Sequence, residues 1–203
     1  MTRLDASLFR AVNRLADRTP WAHGAVAAYA RLGLVAFAAL LLTGWWLSRS
    51  SGDLDLMARV LWAGAGALVA LGVNQVVGAL VDRARPYAAM PHVHVLISRT
   101  TDASFPSDHA VVAGAVVAGL LLARRRLGAA AVVLALMMGA ARVYAGAHYP
   151  GDVIAGLLLG GAVVVAGGLL AVPALRGLAG AVSHSRLRPL VCGRPLPAPG
   201  LRR

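Results

Sequence analysis

Phe105-Pro106-Ser107-Asp108-His109 runs straight into an uncharged apolar stretch, Ala110 to Ala123. Proline is tolerated only in the first turn of a helix, and Ser or Asp caps one. A helix therefore starts here, with free backbone N–H groups and a positive dipole end beside a histidine. That combination suits a phosphate group. Downstream, Arg142, His148 and Asp152 follow at the spacing R-x5-H-x3-D, and upstream lies Arg85-Pro86. The remainder of the chain reads as a membrane scaffold that brings these three pieces together.

Composition supports the scaffold. The chain has 203 residues, 59% of them hydrophobic and only 14% charged. That balance is foreign to soluble proteins and typical of multispanning membrane proteins. A net charge of +12 raises nucleic acid as a partner. On a hydrophobic chain, however, such charge marks cytoplasmic loops facing anionic lipid, and the arginines fall in short loops between spans. Every cation is an arginine and there is no lysine. Arginine stays charged when partly desolvated and grips phosphate bidentately, although a GC-rich genome also favours it. The single cysteine, Cys192, excludes an internal disulfide and a cysteine-based metal site.

Residues 1–20 lack the apolar core of a secretory signal. Leu4, Leu8, Val12 and Leu15 recur at helical spacing opposite Arg3, Arg10, Asn13, Arg14 and Asp17. The pattern predicts an amphipathic helix lying in the membrane interface, stopped by Thr19-Pro20. Five apolar segments follow at roughly 24–48, 57–81, 105–123, 127–147 and 152–174, each near the ~20 residues that span a bilayer. The fold expected is an all-α bundle of about five transmembrane helices (residues 21–174) behind that interfacial helix. The Arg- and Pro-rich stretch 175–203 reads as a disordered cytoplasmic tail. Arg49, the cluster Arg124-Arg125-Arg126 and the tail arginines place their side in the cytoplasm by the positive-inside rule. The N-terminal helix, the 82–104 loop and the 147–152 turn then share the outer face, and so do the three motifs.

The residue types fit phosphoryl transfer. Alone, His148 could be an interfacial residue and Asp152 a helix N-cap. Together, the carboxylate can accept from one imidazole nitrogen and leave the other as a nucleophile. Arg85, Arg142, Ser107 and helix N-terminal amides make a phosphate cradle. His109 can protonate a departing oxygen and then activate water. The sequence offers no carboxylate cluster for a two-metal mechanism, so no metal and no cofactor is expected.

These residues resemble the type 2 phosphatidic acid phosphatases, membrane lipid phosphatases related to vanadium haloperoxidases. The family's signature has three parts, K-x6-RP, PSGH and SR-x5-H-x3-D. Pro106-Ser107-Asp108-His109 matches the second, Ala141-Arg142 through His148 to Asp152 the third, and Arg85-Pro86 the end of the first. The resemblance covers about residues 57–172. It implies His148 as nucleophile, Asp152 as its orienting carboxylate and His109 as general acid and base. Phosphate binding would then fall to Arg85, Ser107 and Arg142.

Three departures stand out. Gly78 occupies the position of the signature lysine, Ala141 that of a serine, and Asp108 that of a glycine. Arg83 or Arg31 could replace the missing cation, and Asp108 could repel substrate or tune His109. The phrase Thr101 to His109 and the Leu4-to-Leu15 leader resemble the bacterial undecaprenyl-diphosphate phosphatase branch. That implies a carrier-lipid substrate taken at the outer face of the plasma membrane, a role in cell-wall synthesis, and bacitracin resistance. Two other readings compete. One is a broader lipid phosphatase acting on phosphatidic acid, phosphatidylglycerol phosphate or another prenyl diphosphate. The other is a transport or lipid-binding protein with Arg31, Arg142 and the histidines along a polar path.

Overall fold

The computed structural model describes residues 3–193. Among them the order is α1 (Arg3–Arg18), a 3-10 turn at Pro20–Ala22, α2 (His23–Leu32), α3 (Leu34–Ser51), α4 (Leu54–Val81) and the short α5 (Pro86–Ala89). Then come α6 (Asp108–Ala123), α7 (Arg125–Tyr144), α8 (Pro150–Ser183) and a 3-10 turn at Arg188–Leu190. The described chain contains no strand, and it is a multi-pass helical membrane protein. Four helical stretches, beginning at Leu34, Leu54, Arg125 and Pro150, are long and apolar enough to cross a bilayer. The fifth, α6, has 16 residues, about 24 Å of helix. Helices α2 and α3 continue one another across Gly33 and together form the first expected segment.

The polarity of packing follows the solvent. Leu68, Leu80, Leu136, Leu158, Leu169 and Leu170 point outward, while Ala63, Ala67, Ala70, Ala113, Ala115, Ala131 and Ala135 are buried. In lipid, burying leucine gains little, so small residues take the inside and let helices approach closely. Helix α6 is central and packs on α3, α4, α7 and α8. A Cβ on Gly160 of α8 would run into the Val111 carbonyl of α6. We expect Gly160→Val to cost about 1–3 kcal/mol through overpacking, visible as a lower thermal midpoint in detergent. An unchanged midpoint would refute that contact.

Local chemistry sets the helix ends. Asp53 caps α4, its Oδ1 accepting from the N–H groups of Asp55 at 3.0 Å and Leu56 at 2.9 Å. Asp82 closes the same helix at φ 43°, a left-handed conformation that Asp tolerates better than most residues. Helix α8 starts from Tyr149, with Pro150 in its first turn. Asp152 is therefore the third residue of the helix rather than its cap.

Two expectations need revision. Helix α1 does present Leu4, Leu8 and Leu15 outward, but its other face packs on the bundle through Ala6, Phe9, Asn13 and Ala16. Asn13, assigned by its polarity to the solvent side, is buried. Its Nδ2 donates to the carbonyls of His94 at 2.8 Å and Tyr144 at 3.1 Å. The disordered tail is corrected over residues 175–193. Helix α8 carries Pro173 in its interior and runs on to Ser183. The following turn docks on α3, with Trp45 Nε1 donating to Leu190 O at 3.0 Å and Arg49 Nε to Pro189 O at 2.5 Å. Val191 is buried in a cluster with Met57 and Ala179. Composition missed this because those contacts are long-range. Residues 194–203, including Arg194, Arg202 and Arg203, lie outside the described residues.

Candidate active site

The site end of the bundle gathers the end of α4, the start of α6, the end of α7 and the start of α8. A cavity of about 290 Å³ opens there, lined by Arg31, Arg85, Asp108, His109, Arg142 and His148 among others. Three pieces of sequence tens of residues apart therefore meet, as their chemistry required. Ser107 is buried at the N-cap of α6 and is not part of the cavity wall. Its Oγ and the Nε of Arg142 are buried without a hydrogen-bond partner. Such orphaned donors are costly unless something satisfies them.

His148 lies at the centre, 1% exposed. Its Nδ1 sits 2.8 Å from the carbonyl of Ser104, which can only accept. Nδ1 therefore carries the proton, and the lone pair is on Nε2. Nε2 in turn lies 3.1 Å from an Arg142 amino group and 3.2 Å from one of Arg85. Burial, followed by the two guanidiniums, holds this imidazole well below the usual histidine range, so it is neutral at physiological pH. The site presents an unprotonated nitrogen flanked by two cations.

Each arginine is itself fixed. Arg142 donates to the Ala30 carbonyl of α2 at 3.1 Å. Arg85 donates to Ala147 O at 3.2 Å and to the Asp102 carboxylate at 2.7 Å. Burial works against the Asp102 charge, but hydrogen bonds from Thr100 and Arg85 hold its carboxyl below the ordinary range. His109 makes no hydrogen bond among the described residues and stands on the cavity wall. Asp108 shares that wall. Its Oδ1 is held by Asn74 Nδ2 at 2.6 Å and Gln75 Nε2 at 3.1 Å. Asn74 and Gln75 were missed, yet two amides inside an apolar span were a signal in plain sight.

Two expected roles change. Asp152 does not accept directly from His148, because its Oδ2 lies 4.0 Å from Nδ1. Instead Oδ2 accepts from Ser104 Oγ at 2.6 Å and from Tyr149 N at 2.9 Å. The carboxylate reaches the imidazole through Ser104, whose carbonyl makes the bond, and nothing in the sequence distinguishes that serine from its neighbours. Arg83 is not on the cavity wall. Its two amino groups reach Asp152 Oδ1 and Asp5 Oδ2, each at 2.5 Å. Of the two candidates for the missing cation, only Arg31 lines the cavity.

Comparison with known proteins agrees with this architecture. Residues 59–174 match the PAP2 superfamily, and the chain belongs to it as a membrane-embedded lipid phosphatase. It is 30% identical over 156 residues to undecaprenyl-diphosphatase BcrC of Bacillus subtilis, covering 77% of this chain and 78% of that one. It is 37% identical over 123 residues to decaprenylphosphoryl-5-phosphoribose phosphatase of Mycobacterium tuberculosis, covering 59% of this chain and 67% of the relative. The crystal structure of Aquifex aeolicus LpxE superposes with a TM-score of 0.62 at 24% identity, over 81% of this chain and 94% of that one. At that identity the likeness concerns the fold alone.

Proposed function

We propose that this protein hydrolyses undecaprenyl diphosphate to undecaprenyl phosphate through a phosphohistidine on His148. The observation that carries the reading is the neutral Nε2 of His148 set between Arg142 and Arg85. Arg85 and Arg142, which line the cavity, hold the terminal phosphoryl group, and the Arg142 Nε has no other partner to compete for it. Nε2 attacks phosphorus, the bond to the bridging oxygen breaks, and His109 delivers a proton to the departing lipid phosphate. His109 then takes a proton from the water that hydrolyses the phosphohistidine. No metal is assigned a role. The relationship to BcrC supports the substrate, recycling of the cell-wall carrier and bacitracin resistance.

Arginines at the opposite end of the bundle support an outward-facing site. Arg49, Arg59, Arg124, Arg125, Arg126 and Arg176 all lie in the halves of their helices, or the turn between helices, away from the cavity. The substrate's isoprenoid would then remain in the outer leaflet while the diphosphate enters the cavity. The testing experiment is phosphate release from undecaprenyl diphosphate in detergent with EDTA. Release that survives EDTA is expected; dependence on added metal would overturn the metal-free route.

Arg31 is assigned the second phosphate, replacing the cation lost at Gly78. Arg31→Ala should lower kcat/KM for the diphosphate about 10-fold, the scale of one charge-assisted contact. Its effect on phosphatidic acid should be smaller. Equal losses on both substrates would remove the assignment. The mycobacterial relative supports a second reading, a phosphomonoesterase acting on a prenyl-linked sugar phosphate. Running that substrate class beside the diphosphate and phosphatidic acid decides between them. A transport role has less support, because the polar groups gather in one cavity at one end.

A further inference from the structure

We propose that Asp5 and Arg83 are positioning residues for the nucleophile, acting on His148 through Asp152 and Ser104. Neither was assigned this role by its sequence context, and Asp5 lies on α1, outside the residues 59–174 that match the family. The inference rests on the reading of His148 as the attacking group.

The connection is continuous. Asp5 Oδ2 accepts from Arg83, and its Oδ1 accepts from Gly151 N in the first turn of α8 at 2.9 Å. The guanidinium of Arg83 lies over the Tyr149 ring, its Cζ 3.9 Å from the ring centroid, and reaches Asp152. Asp152 binds the Ser104 hydroxyl, while the Arg83 carbonyl accepts from Ser104 N at 2.7 Å. Ser104 is thus held at its amide by the main chain of Arg83 and at its hydroxyl by the carboxylate that Arg83 pairs with. The one group left over, its carbonyl, fixes the tautomer and tilt of His148. Every member is largely shielded from water, with the Arg83 side chain 18% exposed and that of Asp5 12%.

The geometry explains why a second carboxylate is needed. A guanidinium with one partner can rotate about it; clamped between two carboxylates and stacked on a ring, it has one rotamer. Asp5 also satisfies an N–H that the start of α8 would otherwise leave unpaired. A helix expected only to anchor the chain in the membrane interface therefore completes the support behind the catalytic histidine. A misplacement of an ångström at a nucleophile costs about 100-fold in rate.

The test uses the full-length protein in detergent, with undecaprenyl diphosphate as substrate and Asp5→Asn, Arg83→Met and Arg83→Lys variants. Asp5→Asn and Arg83→Met should lower kcat about 10- to 100-fold and leave KM within about twofold. Arg83→Lys should recover part of the loss. The double variant should be little worse than Arg83→Met, since both act on one path. Leu8→Ala, on the outward face of the same helix, should match the wild type. A nitrogen-15 histidine spectrum supplies a readout independent of turnover: the His148 Nδ1–H signal, identified by its loss in His148→Ala, should shift or exchange faster in Asp5→Asn. Wild-type kcat with an unmoved signal would overturn the proposal, as would a loss confined to KM or one that tracks the unfolded fraction. If the wild type is inactive on every lipid phosphate, the functional reading fails, and the imidazole signal still decides the positioning claim.

Discussion

His148→Ala is expected to abolish phosphate release and to leave no covalent phosphoenzyme. That is the largest effect expected of any single change in this chain, and it follows from the arrangement around Nε2. Two guanidiniums 3.1 and 3.2 Å away would repel a protonated imidazole, so the nitrogen has its lone pair free for the proposed attack. Alanine keeps both arginines and removes the only nitrogen they share. Substrate should still bind, because Arg85 and Arg142 each have another anchor. The measurement is twofold: single-turnover release, and trapping of labelled phosphate on denatured protein as an adduct stable to alkali and labile to acid. Wild-type turnover in the variant, or an adduct of unchanged intensity, would falsify the assignment of the nucleophile.

Asp152→Asn comes second, with kcat reduced on the order of 10²–10⁴-fold and KM little changed, the scale of losing an orienting carboxylate. The carboxylate accepts from Arg83 on Oδ1 and from Ser104 and Tyr149 on Oδ2. A carboxamide has one accepting oxygen. Whichever way it turns, an NH2 group faces a donor, either the guanidinium or the pair on the other side. Ser104 loses the hold on its hydroxyl, and the carbonyl that orients the imidazole is less firmly placed. Because the effect passes through Ser104, it should be reproduced in weaker form by Ser104→Ala, which keeps the carbonyl but frees the residue. A Ser104→Ala enzyme slower than Asp152→Asn would contradict that order of action. Either variant should be compared with the wild type at equal folded fraction, since Asp152→Asn also leaves the Arg83 guanidinium with Asp5 as its one carboxylate among those described and Ser104→Ala removes a buried hydrogen bond.

Much of this protein was legible in one dimension because a bilayer imposes a simple rule. Every spanning backbone must satisfy its own hydrogen bonds, so apolar runs of sufficient length become helices wherever they occur. The five segments were found on that ground, and the observed helices differ mainly at their ends. The reactive groups were legible for a related reason. His109, Arg142, His148 and Asp152 sit at the ends of apolar runs, where polar groups are conspicuous. What escaped notice was mostly held by contacts between distant residues. The docking of residues 184–193 on α3 depends on Trp45 and Arg49, more than 130 positions away. Arg83, 78 positions from its partner Asp5, looked like a spare phosphate ligand, and Asp5 drew no assignment.

That the chain is a helical membrane protein of the PAP2 superfamily, with histidines and arginines at the ends of its apolar runs, could be read in one dimension. Hydrophobic length and the spacing of reactive side chains are properties of the chain. Which atom orients His148, whether Arg31 or Arg83 faces the cavity, and the place of α1 behind the site emerge from the packed helices alone. Those outcomes depend on hydrogen-bond geometry within fractions of an ångström. Ser104 contributes its main-chain carbonyl, a group every residue possesses, so no reading of side-chain types could have singled it out.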